Sequence, residues 1–150
     1  MKKLIYLLPL LALVACNKEK RFSKRLMKKE TWEVQSIKVD GTTSQFKGVW
    51  TVTKDVDIYD SVPSASWKWN NQDAIANWQF QDKGKSFFLN YQQQCLECNG
   101  SDLDSLDYFL YNISGKYAVE KHGLNKMIFT SNASIAYSGK EVEINIERVK

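Results

Sequence analysis

Residues 76–92, ANWQFQDKGKSFFLNYQ, decide the fold of this chain. Trp78 and Phe80 alternate with Asn77, Gln79 and Gln81, a period of two that suits a strand with one face buried and one wet. Asp82-Lys83-Gly84-Lys85 then supplies turn chemistry, and a second apolar run follows from 86 to 92, so the segment reads as a β-hairpin. The same period recurs near the end of the chain. There Val142, Ile144 and Ile146 alternate with Glu141, Glu143, Asn145 and Glu147.

Working outward, strands are predicted over 31–40, 46–53, 66–70, 76–82, 86–92, 106–113, 116–121, 125–131 and 141–149, with glycines marking most of the gaps. Asp40-Gly41, Asn99-Gly100 and His122-Gly123 are read as tight turns that use positive φ angles. In the first strand the apolar parity changes from Trp32 and Val34 to Ile37 and Val39. One extra residue near Gln35 or Ser36, a β-bulge, accounts for the change and would bend the strand. Gly48, between Phe46 and Trp50, marks a kink or a close approach. Only residues 22–29, with Phe22, Leu26 and Met27 on one side, suit a short helix. Strands in sequence joined by short turns make a meander, and a meander hides its edges by closing. The expected fold is all-β, an antiparallel up-and-down barrel of about eight strands with a short N-terminal helix.

The N-terminus carries an address. Lys2 and Lys3 precede an apolar run, Leu4 to Leu13, that is too short to span a bilayer, and small residues lead to Cys16. Leu13-Val14-Ala15-Cys16 resembles the bacterial lipobox, which implies cleavage before Cys16 and acylation of it. The expected organisation is therefore a signal peptide over 1–15, an acylated Cys16 with a basic tether over 16–29, and a barrel domain over 30–150. That reading sets the protein in the cell envelope, on the outer membrane. Of 150 residues, 43% are hydrophobic and 13% aromatic, enough for one core. The formal net charge is +4, and two of those charges, Lys2 and Lys3, leave with the leader. Such a balance argues against nucleic acid as a partner. The basic residues cluster after the anchor: Lys18, Lys20, Arg21, Lys24, Arg25, Lys28 and Lys29. They read either as a solvated tether or as an attraction to anionic head groups.

With Trp32 after Leu26, the Asp40-Gly41 turn, Trp78 before the Asp82 to Lys85 hairpin and Arg148 in the last strand, residues 24–149 resemble the lipocalin-like lipoproteins of Bacteroidetes. The resemblance implies a lipocalin-like barrel with room for a ligand. It also implies that Trp32 and Arg148 pair to close one end, with Glu30 standing where lipocalins carry the glycine of their G-x-W motif.

The residues with chemical potential are few. Cys95-Leu96-Glu97-Cys98 lies in an all-β context, without the helix start that lowers a thiol pKa, and outside the cytoplasm it reads as a loop disulfide. His122 is the sole histidine and reads as a solvated turn residue, which leaves acid-base and triad schemes without their usual base. The two thiols and His122 lack a fourth ligand for zinc. The runs Asp55, Asp57, Asp60 and Asp102, Asp104, Asp107 do not match the EF-hand spacing. No metal, cofactor or catalytic residue is expected. Inward aromatics, Trp50, Trp78, Phe80 and Tyr108, are the expected lining of a pocket for a small hydrophobic or amphipathic molecule, with the mouth flanked by 54–65 and 93–105. Trp67-Lys68-Trp69-Asn70 reads as a cavity mouth or exposed contact surface. The alternative is a non-catalytic structural lipoprotein with a packed barrel that binds another envelope protein. An enclosed apolar void favours the first reading, and a filled interior with an exposed aromatic patch favours the second.

Overall fold

The computed structural model describes residues 18–28, 31–52, 63–92 and 105–149. In chain order these form α1 (Lys18–Lys28), β1 (Thr31–Val39), β2 (Thr42–Thr43), β3 (Gly48–Val52), β4 (Ser64–Trp69), β5 (Gln72–Gln81) and β6 (Ser86–Tyr91). They continue with α2 (Ser105–Ile113), β7 (Gly115–His122), β8 (Lys126–Ser131) and β9 (Val142–Arg148). From β3 onward each strand pairs antiparallel with the next, β1 pairs with β3, and β1 also pairs with β9, so eight strands close into a meander barrel. The short β2 hangs on β1 as a ninth strand outside the ring. Closure leaves no barrel strand with an unpaired edge.

The expected bulge is present. Val34 faces Ile146 and Ser36 faces Asn145, so Gln35 is left over, and both Val34 and Ile37 point into the core although they lie three residues apart. A second skip falls between Val119 and Lys121. Gly48 adopts φ +101°, and a Cβ built there would lie 2.0 Å from the carbonyl oxygen of Lys68. The missing side chain is what lets β3 approach β4 this closely. In the β5–β6 hairpin Asp82, Lys83 and Gly84 all have left-handed φ angles, and Asp40 and Gly41 do so between β1 and β2. Gly123, by contrast, has no positive φ.

Residues 106–113, expected as a strand, form most of helix α2. Leu106, Tyr108 and Leu110 alternate as a strand would, but Leu106, Phe109, Leu110 and Ile113 recur at helical spacing, and these four are the buried apolar ones. In so short a window the two periods overlap, and tertiary packing selects the helical set.

Following the strand directions, the β5–β6 and β7–β8 turns, the start of β1 and the end of β9 share one end of the barrel. Helix α1 packs there. Leu26 is 1% exposed, the Trp32 indole donates to its carbonyl at 2.9 Å, and the Glu19 carboxylate accepts the Lys83 amide at 2.5 Å. Residues 18–28 are thus part of the folded domain rather than a free tether. The opposite end receives α2, whose Phe109 stacks on Phe46 at 4.4 Å and meets Trp67 edge-on at 6.1 Å.

Candidate functional site

Alternating residues from all eight barrel strands fill the interior. Trp32, Trp50, Trp67, Trp78, Phe80, Phe87, Phe129 and Tyr117 are each 3% exposed or less. Phe87 stacks on Phe129 at 4.3 Å and on Trp78 at 6.3 Å, and Trp50 meets Trp67 edge-on at 6.1 Å, so the rings occupy the space a ligand would need. Among the described residues, the void inside the ring is about 10 Å³, lined by Trp50, Trp67, Trp78 and Leu89 from the wall, Leu26 from α1 and Leu110 from α2. That is about the volume one water occupies, whereas sites for small molecules span roughly 300 Å³ or more. Contributions from both helices to the lining show that each end is stoppered.

Three of the four expected lining residues, Trp50, Trp78 and Phe80, do point inward. Tyr108 does not. It lies on α2 and is 53% exposed, because the helical winding of 105–113 turns it away from the face that carries Leu106, Phe109 and Leu110. Trp67 corrects the expectation in the other direction. Its parity on β4 matches Ala65, it is 1% exposed, and its indole donates to the carbonyl of Lys47 at 2.6 Å, so the Trp67 to Trp69 stretch is barrel wall rather than an exposed surface. Trp69 closes against Phe46 at 4.9 Å. Exposed aromatic area is found instead on α2, at Tyr108 and Tyr111, with the exposed Ile135 in the segment that hydrogen-bonds to the end of this helix.

Trp32 and Arg148 are brought together as directly opposed residues across the β1–β9 seam. Arg148 continues the inward parity of Val142, Ile144 and Ile146 at the α1 end of the barrel.

His122 is the residue that sequence reasoning misplaced. It ends β7 and is partly buried under α1, with its ring stacked on Phe22 at 3.5 Å, Phe80 edge-on at 5.6 Å and the Arg25 guanidinium donating to Nδ1 at 3.3 Å. Burial, reinforced by the positive charge of Arg25, pushes its pKa down to about 4. Gly84 makes room for Phe22, since a Cβ there would lie 2.8 Å from the ring. Partners about a hundred residues apart in sequence leave no local signal of this cluster. Cys16, Cys95, Cys98, Asp55, Asp57, Asp60, Asp102 and Asp104 lie outside the described residues, as do 54–62 and 93–104 of the expected mouth.

No family model matches the chain, and no curated protein matches it.

Proposed function

We propose that this protein is a non-catalytic lipoprotein of the bacterial cell envelope, held to the outer membrane by an acylated Cys16, with a packed lipocalin-like barrel that works through its outer surface. The observation that carries this reading is the void of about 10 Å³, too small for any hydrophobic ligand inside the ring of strands. Exposed Tyr108 and Tyr111 on α2 give the surface an aromatic contact element at the end far from α1, and tyrosine is enriched at protein interfaces. An envelope protein is the partner class that fits. Cys95 and Cys98, which lie outside the described residues, read as a loop disulfide from their spacing and the exported compartment.

Titrating the acylated protein with fatty acids, isoprenoids and tetrapyrroles while following Trp emission tests the reading, because the buried indoles would report any occupant. No response is expected. A saturable change with any of these molecules overturns the packed-barrel reading and favours a ligand carrier whose helix α2 moves aside. Native mass spectrometry of the protein purified from its own host should show a protein partner rather than a small ligand. Radiolabelled palmitate should mark the parent and not Cys16→Ala. Equal labelling of the two would remove the anchor from this account.

A further inference from the structure

Helix α1 divides its residues between two faces. Glu19, Phe22 and Leu26 turn to the barrel, where they meet the Lys83 amide, the His122 ring and the Trp32 indole. Lys18, Lys20, Arg21, Lys24 and Lys28 are exposed, with Lys20 and Lys24 bordering the groove between α1 and β5. Lys20, Lys24 and Lys28 stand four residues apart, in a row where like charges repel along a helix surface. The one acidic residue of α1, Glu19, is engaged by the hairpin, and among the described residues none of the five exposed basic groups takes part in an ion pair. A row of cations with no ion pair among the described residues, set on a folded barrel end, is complementary to an anionic plane.

We propose that the exposed face of α1 is a preformed docking plate for an anionic lipid surface. It seats the α1 end of the barrel against the bilayer and points Tyr108 and Tyr111 away from it. The inference rests on the anchored reading above in one respect: Lys18 follows Cys16 by two residues, which sets the plate at the membrane and favours lipid over an acidic protein as its partner. Each basic side chain near such a surface contributes about five-fold to partition, and the attraction is screened within a Debye length.

The acylated full chain, reconstituted on phosphatidylcholine vesicles with or without phosphatidylglycerol, can be labelled with an amine-reactive reagent and read residue by residue by mass spectrometry. Lys20, Lys24 and Lys28 should react several-fold more slowly on the anionic vesicles, and 0.5 M salt should abolish the difference. Lys68 and Lys140, at the other end of the barrel, should react equally on both. In a Lys20→Gln, Lys24→Gln variant, whose changes lie at exposed positions, Lys28 should lose its protection. Equal rates on the two vesicles overturn the proposal, as does protection spread evenly to Lys68 and Lys140. Protection in native membranes but not on anionic vesicles also overturns it, in favour of an acidic protein. Flotation with neutral vesicles in high salt reads the anchor separately, so failure of the anchor and failure of the plate are distinguishable.

Discussion

His122 is held as a neutral base by its surroundings. Stacking on Phe22 removes water from the ring, and Arg25 needs an unprotonated Nδ1 to donate to, so a proton there would both remove the acceptor and set two cations together. The folded pKa of about 4 lies below the ordinary value of about 6.5, so the folded state binds fewer protons than the unfolded chain. Stability from this group is complete above pH 6.5 and is lost as the pH falls toward 4. Urea unfolding at several pH values should show this decline, and His122→Phe, which keeps the stacking and removes the titration, should flatten it. Parallel curves for the two proteins would refute the assignment. Gly48 is a second residue whose role is local. With φ at +101° and the Lys68 carbonyl in the space of any Cβ, Gly48→Ala should cost about 3 kcal/mol or more in denaturant unfolding.

The two helices act as stoppers, and each is fixed by a few contacts. For α2 the key side chain is Leu110, fully buried and facing the interior void. Leu110→Ala should cost about 2–5 kcal/mol and open a cavity that an apolar guest such as benzene enters, raising the melting temperature of the variant and not of the parent. No change in melting temperature with benzene would mean that the end collapses around the deletion. For α1 the fastening is the Trp32 indole on the Leu26 carbonyl at 2.9 Å. Removing that donor by Trp32→Phe strands a buried carbonyl and should cost about 1–3 kcal/mol. Hydrogen exchange should then speed up in α1 before it does in β1. Uniform acceleration across the barrel would argue instead that the helix and barrel unfold as one unit. The proposed Cys95 to Cys98 link would close so short a loop that a Cys95→Ser, Cys98→Ser variant should lose no more than about 2 kcal/mol and keep its fold.

At the scale of the molecule, closure through β1 and β9 makes every barrel strand an interior strand. Amides in the β1–β9 seam should therefore exchange as slowly as those in β5 and β6, because none can open by fraying from an edge. Faster exchange confined to the seam would show that the ring opens there. With the core filled, the proposed interactions fall at two unlike ends: a basic helix at one and exposed tyrosines at the other. The barrel between them acts as a rigid spacer.

Strand identity outside 106–113, the meander order and the bulge near Gln35 were legible in the sequence, because a period of two along one strand and a single break in its parity are local facts that pleating converts directly into burial. The short amphipathic helix and the close approach at Gly48 were legible for the same reason. Whether the interior holds a ligand was not, since ring sizes along each strand do not say how rings from opposite walls interdigitate, and α2 could be read at either period. The same limit hid Trp67 in the wall, Tyr108 on the surface and His122 beneath α1. Each depends on contacts between residues far apart in the chain, and only the closed barrel, with a helix packed into each end, brings those residues to the same place.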